Sequence, residues 1–200
     1  MANYFFGLKP TKESLFKILN YSSKLKNLFI NNEFNFTNKE NLHLTLLFLG
    51  KLTEEQVQMA KKILKGILFG EKSLSLNSDL NSLSSQSNLA FPYSSANLFV
   101  EFSEALYLGE PPRLVCLSGK ASFAILNLKK LLEKEAEGHH LLLKNNEKKN
   151  FLPHITLLRF PPQKKNLPQL PKPTSFVCYF ETPALFTRKE QENGYYYLEV

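Results

Sequence analysis

The sequence predicts an α+β fold of two similar lobes, with antiparallel sheets facing across a central cleft and helices on the outside. Helical and strand patterns alternate along the chain, and each half contains one apolar strand with a His-apolar-Thr unit, His43–Thr45 and His154–Thr156. These units resemble an internal duplication, although the halves otherwise match little residue by residue. At 200 residues and 43% hydrophobic content, the chain can bury a core without disulfides. We therefore expect one bilobal domain over residues 1–200.

The first half is predicted to run strand, helix, strand, helix. Asn3–Leu8 is an aromatic-rich opening strand that ends before Pro10. Thr11 can cap a helix with apolar residues at helical spacing, which are Leu15, Ile18, Leu19, Leu25 and Leu28. The polar stretch Glu33–Asn41 is a loop or short strand, and Leu42–Leu49 is an apolar strand ending at Gly50.

The next helix begins with a capping box. Thr53 and Gln56 have its spacing, and the predicted buried face follows as Val57, Ala60, Ile63, Leu64 and Ile67. Serine and asparagine then dominate Ser73–Ser95, which we expect to be a long surface insertion.

The second half contains strands on either side of another helix. Phe99–Tyr107 and Leu114–Leu117 are predicted strands joined through the turn Gly109–Pro112. A helix over Ser122–Glu137 offers Phe123, Leu126, Leu131 and Leu132 for packing, and Gly138 suits its C-terminal cap. After the basic loop Lys144–Asn150, the predicted strands are Phe151–Phe160, Phe176–Phe180 and Tyr195–Val200, the last following an Asn193-Gly194 hairpin turn.

The formal net charge of +7 comes almost wholly from lysine, since Arg113, Arg159 and Arg188 are the only arginines. This charge favours polyanionic partners and is equally compatible with a merely solubilising surface. The lysines near the second motif strand, Lys148, Lys149, Lys164 and Lys165, are better explained by a solvated loop than by an RNA path.

Several classes of protein are excluded by composition. Cys116 and Cys178 are too few for a disulfide framework and badly spaced for zinc. His139-His140 is better explained as a solvated helix end than as a metal site. Neither a signal peptide nor a run of ~20 apolar residues is present, so we expect a cytoplasmic protein without membrane contact.

The repeated unit has the composition of an acid–base site. Side chains alternate faces along a strand, so His43 and Thr45 share one face, as do His154 and Thr156, each pair about 7 Å apart. Two imidazoles on opposite sides of phosphorus can take a proton from water and give one to the leaving oxygen, because the imidazole pKa is near ~6.5. The hydroxyls can donate hydrogen bonds to phosphate oxygens. This chemistry requires no metal or other cofactor.

Chance accounts poorly for the pair of units. With 4 histidines and eight threonines in 200 residues, two such units arise by coincidence about once in 100 sequences. For one unit alone a structural role is favoured, as a satisfied core histidine beside a β-forming threonine. For two units in apolar strands, the functional interpretation is favoured.

The segments Asn41–Gly50 and Pro153–Arg159 resemble the two signatures of bacterial RNA 2′,3′-cyclic phosphodiesterases, also called 2′-5′ RNA ligases, of the 2H phosphoesterase superfamily. The resemblance extends to Phe5-Phe6 with Pro10, to Pro112–Val115 and to Leu185-Phe186. It implies hydrolysis of a terminal cyclic phosphate on RNA, or of a cyclic nucleotide, to a 2′-phosphomonoester by a cytoplasmic monomer. Joining of RNA ends through a 2′-5′ bond and a non-catalytic RNA-end-binding module are the alternatives.

On this resemblance His43 is the general acid and His154 the general base, although the symmetry of the units allows the reverse. Thr45 and Thr156 bind the phosphate. Arg159 matches an arginine that often follows the second signature and would also bind the phosphate, but strand parity puts it on the face opposite His154 unless a bulge intervenes or the strand ends there. The family's opening strand usually begins with arginine, where this chain has Asn3 or Tyr4. Phe5 or Phe6 can stack on a base, but a core role is favoured.

Overall fold

A computed structural model describes residues 3–29, 34–69, 93, 96–142, 150–162, 167–191 and 194–200. The Ser73–Ser95 insertion lies outside the described residues, apart from Tyr93, as do the four lysines named above and Asn193. The elements in chain order are β1 (Asn3–Leu8), α1 (Lys12–Lys26), β2 (Asn35–Phe36), a 3-10 turn (Lys39–Asn41), β3 (Leu44–Lys51), α2 (Glu54–Phe69), β4 (Phe99–Leu108), β5 (Leu114–Ala121), α3 (Phe123–Gly138), β6 (His154–Arg159), β7 (Phe176–Tyr179), β8 (Ala184–Gln191) and β9 (Gly194–Glu199).

The strands form one antiparallel sheet in the order β7-β4-β5-β6-β3-β1-β8-β9, with β2 also pairing with β6. The predicted α+β class with antiparallel strands is confirmed. The sheets of the two lobes join where β3 meets β6, at the pair Leu44 and Ile155. The C-terminal strands β8 and β9 return to the first lobe, where β8 pairs with β1. The whole is a curled half-barrel with the two motif strands at its centre.

The two lobes repeat the same strand register. Gly7 pairs with Thr45 as Cys116 pairs with Thr156, and Phe5 pairs with Phe48 as Leu114 pairs with Arg159. In both ladders the motif strand has one extra residue directly after its threonine, which is a β-bulge. The structure therefore supports the internal duplication indicated by the repeated motif.

The helices begin at the predicted caps. Thr11 accepts a hydrogen bond from the Ser14 amide at 3.4 Å, and Ser122 accepts one from the Ile125 amide at 3.4 Å. The predicted capping box is present before α2, where the Gln56 side chain accepts from the Thr53 amide at 3.0 Å. These bonds satisfy amides that the first helical turn leaves without partners.

The prediction for the buried face of α3 was partly wrong. Phe123 is 83% exposed and Leu126 is 46% exposed, whereas Leu132 is fully buried. The side chains that face the core recur at helical spacing and are Ile125, Leu128, Leu132 and Ala136, so Phe123 and Leu126 fall outside the buried face. Gly138 is still helical, and it is His140 that adopts the left-handed backbone conformation after the helix, with φ 55°.

Two strand predictions also needed correction. The second motif strand begins at His154 and not at Phe151, because Pro153 has no amide hydrogen with which to continue a ladder. Strand β8 was missed because its second half, Arg188–Gln191, is polar and exposed, and only Ala184–Thr187 is buried. This omission affects the site prediction, because β8 forms part of one wall of the cleft described below.

Candidate active site

The two motif units meet on one face of the sheet. Leu44 and Ile155 pair across the strands and are both fully buried in the core. Since alternate side chains point to opposite faces, their neighbours project the other way. Those neighbours are His43, Thr45, His154 and Thr156, and all four line a cleft of about 200 Å³. The structure thus brings together the four side chains that the sequence predicted.

The antiparallel register sets each imidazole beside the threonine of the other unit. Continuing the antiparallel register by one residue on either side of the pair Leu44 and Ile155 gives His43 opposite Thr156 and Thr45 opposite His154. Directly opposed residues in such a ladder have Cβ atoms about 5 Å apart, and the diagonal pair is more distant. The two histidines are therefore diagonal, and a tetrahedral group between them has an imidazole and a hydroxyl on either side.

Both histidines are oriented by a backbone carbonyl two residues earlier. The Nδ1 of His43 lies 2.7 Å from the Asn41 carbonyl oxygen, and the Nδ1 of His154 lies 2.8 Å from the Leu152 carbonyl oxygen. A carbonyl oxygen only accepts, so Nδ1 must carry the hydrogen in each ring. In the neutral tautomer this leaves Nε2 with its lone pair, and in the imidazolium it leaves an Nε2–H that can donate. Each histidine can thus exchange a proton at Nε2.

The surroundings of the two histidines differ. The His43 ring packs against Phe5, at a centroid distance of 4.7 Å, and against Tyr197, which meets it edge-on at 4.6 Å. Burial, together with smaller effects of the positive charges of Arg159, His154 and Lys9, lowers the pKa of His43 to about 4, against the opposing effect of the Asn41 carbonyl. His43 is therefore neutral at pH 7 in the free protein.

Arg159 reaches the cleft because β6 contains a bulge. Cys116 pairs with Thr156 but Val115 pairs with Leu158, so Leu157 is the extra residue. Leu157 and Leu158 are both buried, and the alternation restarts with Arg159 on the same side as His154. The bulge that the sequence argument required is present.

Phe48 occupies the position in β3 that Arg159 occupies in β6. Each lies five residues after its histidine and pairs with the neighbouring strand in the same register, and both line the cleft. One wall is therefore aromatic where the equivalent wall is cationic. Phe48 was not among the predicted site residues. It could have been found by comparing the residues five positions after each histidine, which are Phe48 and Arg159.

The cleft also contains residues that no local pattern indicated. Arg188 and Tyr197 line it from β8 and β9, and Asn3 lines it from β1. Asn3 is one of the two positions, with Tyr4, at which the resemblance implies an arginine. Of the two phenylalanines for which a core role was favoured over base stacking, Phe5 is buried but lines the cleft, whereas Phe6 is a core residue.

Asn41 links β9 to the segment before His43. Its buried side chain donates from Nδ2 to the Tyr195 carbonyl at 2.9 Å and accepts at Oδ1 from the Tyr197 amide at 3.0 Å. The carbonyl of the same residue orients His43. Asn41 therefore positions both His43 and the tyrosine that covers it, whereas the equivalent residue in the other lobe, Leu152, has no amide side chain.

No group of three or more His, Cys, Asp and Glu side chains in the described part of the chain is arranged to hold a metal ion. None of its helices has the length and apolar character needed to cross a membrane.

The first part of the chain and the overall fold are similar to those of LigT-like proteins. Residues 8–83, which include the first motif, match the family model described as LigT like Phosphoesterase. The fold is LigT-like. The chain superimposes on TT0787 of Thermus thermophilus with a TM-score of 0.71 and 19% identity, over 99% of this chain and 94% of that one. No curated protein matches the chain in sequence.

Two other solved structures have the same fold at low identity. E. coli LigT complexed with 3′-AMP has a TM-score of 0.68 and 19% identity, over 100% of this chain and 95% of that one. The MHV ns2 PDE domain has a TM-score of 0.56 and 12% identity, with 99% of each chain covered. Because the family match ends at residue 83, the role of the second motif rests on the site geometry.

Proposed function

We propose that this protein is a member of the 2H phosphoesterases that hydrolyses the 2′,3′-cyclic phosphate at an RNA end, or in a cyclic nucleotide, to a 2′-phosphomonoester. The observation that carries the proposal is the matched orientation of the two imidazoles. Each is hydrogen-bonded at Nδ1 to a carbonyl oxygen and lines the same cleft beside a threonine. Two such groups can serve an in-line displacement at phosphorus.

In the proposed reaction, water attacks the phosphorus of the cyclic diester and the bond to O3′ breaks. His154 takes the proton of the water at Nε2, and His43 gives a proton to O3′, so the products are a 2′-phosphomonoester and a free 3′ hydroxyl. Thr45 and Thr156 donate hydrogen bonds to the non-bridging oxygens. Arg159 supplies positive charge to the same oxygens, where negative charge must be stabilised in the transition state.

The low pKa of His43 sets a condition on its role as acid. In the free protein the ring is neutral at pH 7, because it is buried beside Phe5 and Tyr197. A bound phosphodiester anion favours the imidazolium, and a nearby opposite charge typically raises a histidine pKa by about 1–3 units. Only the upper end of this range brings the pKa of His43 near 7, so with substrate in the cleft the fraction of His43 that can donate a proton increases as the pH falls below 7.

A cyclic-ended oligonucleotide incubated with the protein in EDTA tests the proposal. We expect hydrolysis without added metal, with a 2′-phosphate as the product. His43→Ala and His154→Ala are each expected to abolish it, and His139→Ala, which removes a histidine at the end of α3, is the matched control. Full activity in either cleft variant would overturn the two-histidine mechanism, and loss of wild-type activity in EDTA would overturn its metal independence.

A leaving-group comparison separates the two histidine roles. The pH profile of kcat/KM cannot do this, because exchanging acid and base gives the same pair of apparent pKa values. A nitrophenyl phosphodiester has a leaving group that needs no protonation. Activity on it should survive in His43→Ala and be lost in His154→Ala. The opposite pattern would assign the base to His43.

The same assay distinguishes the alternatives. Formation of a 2′-5′ bond from cyclic and 5′-hydroxyl ends would show ligation, and binding without either reaction would show an RNA-end-binding module. The proposal takes RNA or a cyclic nucleotide as the partner and treats the protein as a cytoplasmic monomer. Size-exclusion chromatography with light scattering tests the monomer.

A further inference from the structure

The wall of the cleft formed by β8 and β9 contains a second arginine that the reaction above does not use. We propose that Arg188 forms a separate anion subsite, which binds the next phosphodiester of an RNA chain whose terminal phosphate lies at the histidines. The proposal rests on the proposed function for the identity of the terminal group. It specifies an oligonucleotide, and not a mononucleotide, as the ligand for which the cleft is built.

Arg188 lines the same cleft as Arg159 but reaches it from β8, whereas Arg159 lies on a motif strand. It pairs across the β8–β9 ladder with Tyr197, whose ring contacts the His43 ring at 4.6 Å. The charges of Arg159 and Arg188 both act on Tyr197, and of these two arginines Arg159 also acts on His43. The Tyr197 ring lies 5.4 Å from the Tyr195 ring, over which the Arg188 guanidinium lies, so two aromatic rings separate this guanidinium from the His43 ring.

The guanidinium of Arg188 is held in place before any ligand arrives. It lies over the Tyr195 ring, 4.3 Å from its centroid, and its Nε donates to Glu190 at 3.0 Å. A guanidinium has five N–H donors, and this ion pair uses the one on Nε. The terminal nitrogens are the ones that bind phosphate oxygens in a two-pronged geometry. Glu190 is a weak competitor for the guanidinium, because its side chain is largely exposed and solvent screens the pair.

The residues between the two arginines suit the part of RNA between two phosphates. Successive phosphates in RNA are separated by a nucleoside, and Arg159, Tyr197 and Arg188 all line the cleft. Cations spaced by aromatic rings are the usual arrangement for single-stranded nucleic acid, because rings stack on bases without sequence preference. Two cations and an aromatic ring in one cleft therefore suit two phosphates and the nucleoside between them.

Equilibrium binding tests the subsite without relying on catalysis. The ligands are adenosine 2′-phosphate and a diadenosine chain that ends in a 2′-phosphate, which adds one phosphodiester. In Arg188→Gln we expect about a tenfold loss of affinity for the longer ligand and no change for the shorter one, as for loss of a charged hydrogen bond. For the longer ligand, the slope of the logarithm of affinity against the logarithm of salt concentration should also decrease in magnitude by about 0.7, which is the value for one phosphate contact on a single strand.

Arg113→Gln is the matched control, because it removes the same charge from the segment between β4 and β5. Glu190→Gln should strengthen binding of the longer ligand by removing the competing carboxylate. Equal losses for both ligands in Arg188→Gln, or an equal loss in Arg113→Gln, would overturn the subsite. A protein that shows the selective loss but no hydrolysis would retain the subsite and overturn only the proposed function.

Discussion

Acidification is expected to destabilise the protein through His43. The pKa of this ring is about 4 in the folded protein and near ~6.5 in an unfolded chain. Between these values the unfolded chain binds a proton that the folded protein does not, so the free energy of unfolding falls as the pH falls. The contribution is fully present above pH ~6.5 and is lost progressively toward pH 4.

The size of the effect follows from the difference between the two pKa values. At 1.36 kcal/mol per unit, a shift from 6.5 to about 4 corresponds to ~3 kcal/mol. One edge of the ring is open to the cleft, so ~3 kcal/mol is the upper limit. A change of this size is a large fraction of the stability of a typical domain, which is roughly 5–15 kcal/mol.

Urea unfolding between pH 4 and pH 7 measures the effect as a difference between two proteins. His43→Phe keeps an aromatic ring between Phe5 and Tyr197 but cannot titrate. Wild type should lose up to ~3 kcal/mol more than His43→Phe over this range, because the carboxylates common to both proteins cancel. His139→Gln controls for removal of a histidine elsewhere. Parallel pH dependence in wild type and His43→Phe would show that the ring is not shielded from protons, which would refute the argument for a neutral His43 at pH 7.

Three further predictions concern the residues around the histidines. Asn41→Leu, which introduces the residue found at the equivalent position 152, should lower the free energy of unfolding measured in urea by about 1–3 kcal/mol. Because Tyr197 loses its hydrogen-bond anchor, the pKa of His43 measured by NMR titration should also move toward 6.5. An unchanged His43 titration would contradict the positioning role of Asn41. Arg159→Gln should lower kcat/KM about 10²-fold while circular dichroism stays unchanged. Thr45→Val and Thr156→Val should each lower kcat by about 10²-fold, and a change confined to KM would place the hydroxyls in ground-state binding.

The sequence predicted the central site because that site depends on local geometry. Alternation along a strand was enough to put each histidine and threonine on one face, and the repeat indicated that two such faces belong together. Placing Arg159 in the cleft required knowledge of a bulge. Strand parity shows that the alternation must be interrupted but does not show where. The bulge follows the threonine in both lobes, where the paired strand advances by one residue and the motif strand by two.

The parts that sequence reasoning missed depend on contacts between distant segments. Tyr197 reaches His43, and Arg188 reaches the cleft, only because β8 pairs with β1 and Asn41 holds β9. The polar sequence at the end of β8 does not indicate that this strand packs beside buried residues. The error at Phe123 and Leu126 has a different origin. Apolar residues occur on both faces of α3, which begins after its cap at Ser122, so their presence alone does not show which face is buried.

The repeat places chemically equivalent proton-transfer groups on both sides of a phosphate, and such a frame alone would accept a cyclic diester in either of two orientations. The two walls of the cleft differ chemically, so the two orientations are not equivalent. Phe48 faces Arg159 at equivalent positions, and His43 is enclosed by Phe5 and Tyr197 while no aromatic ring in the described residues stacks on His154. A nucleotide has an apolar base and an anionic phosphate, so it binds best with its base on the aromatic side and its charge toward the arginine. In the proposed reaction the asymmetric walls would therefore select which histidine meets the leaving oxygen, while the symmetric frame supplies the chemistry.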